Sequence, residues 1–530
     1  MQNWRAERKR VLSEMSTTWE SLPQDVVQLI VDLLRWPEVG ALCLVNRHWK
    51  ATVRTAVRTL RPSQPNPDLV DILPNIESLD LSSCWDGVDD LKVIRIARKL
   101  ARQKTLRSLN LSKCHALTNR AIAEVSRSLL DLETLVLTGC REPFPIAQAK
   151  SGKMGYAGVN GGTLIGLKKL KHLDLQWNPV SDTSMKTLVE LTSLTKLMLG
   201  ECPGISDTGV AMLRKLAGIQ SLSLDRTMVS AWGLKEIVGM GSIKQLSLRT
   251  CSGVGDEELV VLAGLSSLES LNVSKCNVTD SGVAALSGLP ALTELDLSCC
   301  LMLSGECFLD FQNSGVLRNL KLQDCFGCGN DETLRFLSGI PSLREIDLHN
   351  CCAVTDSGMP YLARLPLEAL DLSLCNEITK AGLAVLCKVH TLTSLDTSFW
   401  VGLTDEWMPC LGQLTNLSSL KLSCCGQISD EGLCALKPLG GCLKQLSCSD
   451  CRGLTSKSVR FIADTFGGLE NLEVAWLGIT DEDCKALRKL PKLTRIDMKG
   501  CPHLTIKGMR ELWYVDGAFD NVKSPQQRMQ

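Results

Sequence analysis

Twenty-five cysteines and six histidines are the residues of this 530-residue chain best able to hold a metal or attack a substrate. A structural zinc site needs two close Cys pairs, or one pair plus His, drawn together. Two short pairs occur, Cys325 with Cys328 in CFGC and Cys448 with Cys451 in CSDC. The histidines stand at 48, 115, 172, 349, 390 and 503, with no repeated spacing. No Ser–His–Asp order or H-E-x-x-H motif stands out. The Gly cluster GGTLIG (161–166) lacks the Lys and the strand-before, helix-after setting of a phosphate loop. The expectation is a protein with no catalytic residues, no cofactor and no metal.

Lys plus Arg equals Asp plus Glu at 58 each, so no long-range field draws the chain to nucleic acid or membrane. The first 16 residues are charged and contain no apolar signal core. No apolar run reaches the roughly 18 residues of a membrane span. Reduced thiols in a cytoplasmic and/or nuclear setting are therefore expected. The basic RAERKR (5–10) reads as a solvated tip or as a weak nuclear signal.

What must position any working residue is a repeat. The frame L-x-x-L-x-L-x-x-C recurs 17 times, from Ile76 to Leu493, and from Leu170 onward its starts lie 24 to 26 residues apart. A fixed period of this size marks a solenoid. Alternation at L-x-L gives a short strand. After the turn, stretches such as VTDSGVAAL (278–286) carry a Ser or Thr to cap a helix, an Asp suited to its positive end, and Val283 and Leu286 facing the strand layer. Strands stack about 4.8 Å apart and helices about 8–10 Å apart, so the stack bends into a horseshoe with a concave parallel sheet and convex helices. Thirteen frames close on Cys and the other four on Asn178, Thr227, Trp400 and Leu477. A small inward side chain suits free Cys as packing, and packing is the reading for CFGC and CSDC as well. The frame resembles the cysteine-containing class of leucine-rich repeats over residues 76–515, which implies an α/β fold.

Residues 22–49 break the pattern. Pro23 opens a helix where a missing N–H costs little. Val26, Ile30, Leu33 and Leu34 follow at helical spacing, Pro37 ends it, and a second short helix leads to Trp49. The order Leu22-Pro23, Ile30, Leu34, Pro37-Glu38, Val45, Arg47, Trp49 resembles an F-box without a gap. With the repeats behind it, the chain resembles the F-box/leucine-rich-repeat substrate receptors of SCF-type ubiquitin ligases. That resemblance implies a small all-α F-box domain whose Leu22, Pro23, Val26, Ile30, Leu34 and Pro37 face a Skp-type adaptor, and through it a cullin–RING ligase. Asn46, where that family often has a smaller residue, and Gly40 depart from the pattern. The other reading is a cap over the first repeat of an interaction scaffold or inhibitor uncoupled from ubiquitination.

The implied organisation is a tip (1–18), an F-box domain (19–60), a stiff Pro-rich link (61–75), the solenoid (76–515) and a polar tail (516–530). The concave face is where a protein substrate, unidentified by sequence, is expected. Its middle column is acidic at six of the last nine repeats, including Asp296, Asp347, Asp371 and Asp396. These form either a strip for a basic segment or a solvated consequence of a common repeat phrase. An insertion at 141–162 carries Phe144, Tyr156, Lys150 and Lys153, as a recognition loop or a disordered one. Trp85, Trp177, Trp400 and Trp476 near strand ends are further candidate anchors, with Trp400, a frame residue, expected in the core.

Overall fold

The computed structural model describes residues 57–140 and 163–515, except 63, 66, 68, 69, 71, 72, 513 and 514. The F-box-like segment, the 141–162 insertion and the tail therefore lie outside the described residues.

A three-residue strand forms wherever the frame places an inward Leu between two outward side chains. The resulting α/β solenoid divides between Gly253 and Val254 into two compact units. In the first, β1 (Thr59–Leu60), β2 (Ser78–Asp80), β3 (Ser108–Asn110), β4 (Thr134–Val136), β5 (His172–Asp174), β6 (Lys196–Met198), β7 (Ser221–Ser223) and β8 (Gln245–Ser247) pair in parallel and in chain order. The second pairs β9 (Ser270–Asn272), β10 (Glu294–Asp296), β11 (Asn319–Lys321), β12 (Glu345–Asp347), β13 (Ala369–Asp371), β14 (Ser394–Asp396), β15 (Ser419–Lys421), β16 (Gln445–Ser447), β17 (Asn471–Glu473) and β18 (Arg495–Asp497) likewise. Within each unit the second apolar residue of one frame faces its counterpart in the next. Leu135 still faces Leu173 across the 141–162 insertion, so that insertion costs no register. Behind the strands lie helices as long as Asp90–Gln103 and as short as the single turn Met408–Leu411. Val283 and Leu286 are buried between the layers, as their spacing predicts.

The sheet starts earlier than residue 76. In β1, Thr59 pairs with Ser78 and Leu60 with Leu79, and Val57, Leu60, Val70 and Leu73 are buried. Val57-x-x-Leu60 repeats the first half of the frame and precedes Pro62, so no proline removes a donor from this pairing. Residues 57–60 thus belong to the solenoid rather than to a helical domain, and Val70 and Leu73 of the expected bridge are buried.

The closing position of the frame does more than fill space. In most repeats its side chain donates to the carbonyl of the apolar residue just past the strand of the preceding repeat: Cys140 to Leu111 at 3.1 Å, Cys202 to Leu175 at 3.3 Å, Cys351 to Leu322 at 3.2 Å and Cys451 to Leu422 at 3.0 Å, while Cys84, Cys114 and Thr227 donate within their own repeat. Two of the non-Cys residues make the same bond, Asn178 Nδ2 to Leu137 at 2.8 Å and Trp400 Nε1 to Leu372 at 2.7 Å. Burial pushes the Cys140 and Cys202 thiols up to about 12, which keeps the donor proton in place at neutral pH. These cysteines are free and mostly buried, as packing residues should be, and the donor role adds to that packing. One residue earlier the backbone is left-handed, with φ of 64° at Lys113, 61° at Trp177 and 64° at Phe399. Amides there donate sideways as well, Trp177 to Gly200 at 3.0 Å and Phe399 to Ser423 at 2.8 Å.

A second ladder runs along the helix starts. Asp405 accepts from the Ser429 amide at 2.8 Å and from its hydroxyl at 2.5 Å, one repeat on. Asp182 with Ser206, Asp256 with Thr279 and Asp481 with Thr505 repeat the pattern. The first-turn Asp therefore ties neighbouring repeats together, in addition to sitting at the positive helix end. It also explains the glycine two residues after it in the next repeat's helix. A Cβ on Gly432 would stand 2.0 Å from Asp405 Oδ1, and one on Gly282 2.4 Å from Asp256 Oδ1.

Asn178→Leu is expected to lower stability to urea by about 1–3 kcal/mol, because buried polar groups lose their partner, while Asn178→Cys stays within about 1 kcal/mol of wild type. Gly432→Ala gains about 1 kcal/mol of helix propensity but is expected to be destabilising overall. Combined with Asp405→Ala it should cost less than the sum of the single changes, whereas Gly288→Ala, where nothing lies within 4 Å, should be neutral.

Candidate interaction surface

On the strand face, every outward residue belongs to a column set by register. Asp347, Asp371 and Asp396 stand opposite one another on β12, β13 and β14. Asp296 is set apart from them by Lys321 on β11. Each of the four first serves its own turn: one carboxylate oxygen accepts the amide two residues on, at 3.0 Å from Ser298, 2.9 Å from His349, 2.8 Å from Ser373 and 2.9 Å from Ser398. This local bond favours Asp or Asn between the two strand leucines, and so accounts physically for the common phrase. The second oxygens differ. That of Asp296 accepts from Asn272 Nδ2 at 3.0 Å, and that of Asp396 pairs with Lys421 Nζ at 3.1 Å. Lys321 is taken by Glu294 at 2.9 Å. Asp347 and Asp371 are left adjacent and without an ion-pair partner among the described residues.

His349 and Ser373 lie beside this pair. Ser373 Oγ donates to Asp371 Oδ1 at 2.5 Å, so His349 Nδ1, 2.6 Å away, donates to Ser373. The serine is 3% exposed and its proton is engaged, so it is not presented as a nucleophile. The thiols of CFGC and CSDC are buried: Cys325 donates to Leu297 at 3.1 Å and Cys451 to Leu422 at 3.0 Å. Burial holds Cys448 well above the ordinary thiol value. Among the described residues no three His, Cys, Asp or Glu are arranged to hold a metal ion.

A feature the middle column does not reveal lies where β10 to β13 begin. Thr293, Glu294, Arg318, Asn319, Arg344, Glu345 and Glu368 line an open groove of about 310 Å3. Both arginines occupy the second frame position, in LRNLKL and LREIDL, which stands just outside the strand and so escapes a reading limited to strand residues. Beyond the other strand ends, Trp177 (53% exposed) and Trp476 (65%) project from the left-handed turn, whereas Trp400 (2%) is core. Trp85 is exposed and edge-on to His115, with ring centroids 5.3 Å apart. Of the remaining sequence candidates, Leu22, Pro23, Val26, Ile30, Leu34 and Pro37 lie outside the described residues, as do Phe144, Lys150, Lys153 and Tyr156.

The family model described as Leucine Rich repeat matches residues 166–189, 264–287, 366–387 and 413–437. A curated Caenorhabditis elegans protein, named "Putative RNA-binding protein EEED8.10", is 28% identical over 170 residues, which are 30% of this chain and 22% of that protein. The chain thus spans under a quarter of that relative's length. Among solved structures, Rad7 of the yeast Rad7–Elc1 complex is similar at 17% identity, over 83% of this chain and 90% of that one, with a TM-score of 0.44. The TLR13–ssRNA13 complex is similar at 19% identity over 77% of this chain and 62% of that one, with a TM-score of 0.51. The likeness to TLR13 and the family match together give the fold as that of leucine-rich-repeat proteins.

Burial, with the charge of Asp371 added, raises the Asp347 carboxyl above its ordinary value. A carboxyl that holds its proton more tightly when folded destabilises the fold above its folded value, and this penalty is gone below the unfolded value of about 3.9. Asp347→Asn keeps the turn acceptor and should therefore raise stability at pH 7. The advantage should fade as pH is lowered towards 4, followed by urea unfolding at each pH; a loss of stability at pH 7 would count against an unpaired carboxylate.

Proposed function

We propose that the chain is the substrate-recognition subunit of an SCF-type ubiquitin ligase. In this reading the F-box-like segment docks on a Skp-type adaptor, and the strand face with its rims holds a protein substrate. The observation that carries it is the ungapped F-box-like order over residues 22–49, directly ahead of the repeats. Leu22, Pro23, Val26, Ile30, Leu34 and Pro37 form the adaptor-facing ridge. Cullin, RING subunit and ubiquitin chemistry are supplied by other proteins, so the subunit acts without catalytic residues or cofactor, in cytoplasm and/or nucleus. The polar, register-ordered strand face supports the substrate half of the reading, since its outward side chains stay available while the inward leucines form the core. The RNA in the names of two similar proteins is not carried over, because balanced charge supplies no basic field for a phosphate backbone.

The second reading is a leucine-rich-repeat scaffold or inhibitor uncoupled from ubiquitination, favoured by a family match confined to the repeats. A pull-down with purified Skp-type adaptor separates the two. Wild type should be retained, and Pro23→Ala with Ile30→Asp should lose at least about tenfold in affinity, as when a buried apolar anchor becomes charged. Failure of wild type to bind would leave the scaffold.

A further inference from the structure

The helices of the first two full repeats, α1 (Asp90–Gln103) and α2 (Asn119–Ser128), pack side by side and carry positive charge that the fold does not use. Five of the fourteen residues of α1 are basic against one acid, and α2 adds Arg120 and Arg127 against Glu124. Arg95, Arg98 and Arg102 recur at i, i+3 and i+7, an exposed stripe about 10 Å long at roughly 1.5 Å per residue. Arg120 and Arg127, also exposed, form a second stripe of the same length on the neighbouring helix.

The acids on and around these helices are already engaged. Asp90 accepts from the Thr118 amide at 2.8 Å and its hydroxyl at 2.6 Å. Glu124 takes Arg98 Nε at 2.7 Å and Nη2 at 3.4 Å, and the Ser128 hydroxyl at 3.2 Å. Asp89 caps α1 and lies 3.7 Å from Lys92 Nζ. Asp131 and Glu133, which follow α2, pair with Lys169 at 2.6 Å and Lys171 at 2.8 Å. Asp86 lies off the helices, in the turn Ser82–Gly87. Among the described residues the guanidinium groups of Arg95, Arg102 and Arg120 have no hydrogen-bond or ion-pair partner. Helix stability does not call for this arrangement. Arg120 sits in the first turn of α2, against the positive helix end, and Arg95 with Lys99 and Arg98 with Arg102 are repelling i, i+4 pairs. Elsewhere outward helix charges pair with their own neighbours, as Glu332 does with Arg335 and Glu482 with Lys485.

We infer that the exposed face of α1 and α2 docks an acidic polypeptide segment, whose Asp and Glu carboxylates are taken by Arg95, Arg102 and Arg120. Three observations favour a polypeptide over a nucleic acid. Arg98 already receives a carboxylate here through two nitrogens, the fork geometry that suits Asp and Glu. The stripes are short, so they reach few of the roughly 6–10 phosphates that a salt-dependent grip on nucleic acid employs. Leu91, 57% exposed and four residues before Arg95 on the same stripe, offers an apolar contact that a phosphate backbone does not use. The inference stands apart from the ligase reading, since it needs neither the F-box-like segment nor the strand face.

The test uses the full chain and three fluorescent peptides of equal length, identical except that alternate positions are Glu, Gln or Lys. Oligothymidylate of the same length and phosphatidylserine vesicles are the other arms. The Glu peptide should bind at low salt with a Kd below about 1 mM, at least about fivefold tighter than the Gln peptide, and weaken as salt is added. Arg95→Glu with Arg102→Glu and Arg120→Glu should cost it about tenfold, the scale of three exposed charge pairs. The same variant should acquire binding to the Lys peptide, a gain that misfolding cannot mimic. Lys457→Glu with Lys492→Glu and Arg510→Glu, an equal charge change at exposed positions of the second unit, should leave binding within about twofold of wild type. Equal binding of the Glu and Gln peptides, no binding up to about 1 mM, an equal loss in the second-unit variant, or tighter binding of oligothymidylate or vesicles would each overturn the inference. None of these outcomes bears on the adaptor pull-down.

Discussion

Everything in this molecule depends on how the backbone is satisfied sideways where each short strand ends. A three-residue strand makes few ladder bonds, and a buried carbonyl or amide left over at its end is costly. The chain meets this with a donor at the closing frame position. Cys140, Asn178 and Trp400, chemically unlike one another, all deliver a proton to the carbonyl just past the preceding repeat's strand. High thiol proton affinity is part of the same device, since a thiolate has no proton to donate. Together with the Asp ladder at the helix starts, these bonds make adjacent repeats rather than single repeats the units of stability.

The same bonds decide what is free for recognition. Because the turn holds one oxygen of Asp347 and of Asp371, their remaining oxygens are aimed rather than mobile. At Asp396 a lysine neutralises the other oxygen, and at Asp296 an asparagine amide occupies it without cancelling its charge. An acidic column that looks uniform as text is therefore uneven in space: Asp396 is ion-paired, whereas Asp347 and Asp371 stand side by side without an ion-pair partner among the described residues. Preorganised groups of this kind contribute specificity more than raw affinity.

The fold is largely legible in the sequence, because the inward leucines dominate the energetics and write themselves at fixed spacing. Val283, Leu286 and Trp400 are buried where the frame puts them. β1 was missed because only half a frame, Val57-x-x-Leu60, announces it amid prolines. The role of the closing cysteine was half legible: Asn178, Thr227 and Trp400 share N–H or O–H donors, a chemical signal stronger than their sizes. Arg318 and Arg344 were overlooked because they sit one residue outside the strand, in a position whose direction only the register settles. Which aspartates stay unpaired was not legible, since that depends on partners about 25 residues away choosing between several acids.

The central claim is a division of labour, with one end for an adaptor and the strand face left open for a second protein. Hydroxyl-radical footprinting of the full chain with and without a Skp-type adaptor tests it most directly. The account predicts that adaptor shields residues 22–37 and leaves oxidation of Met302, Phe326, Phe399 and Trp476, exposed where the strands end, unchanged. Shielding of those four residues, with 22–37 unaffected, would contradict it.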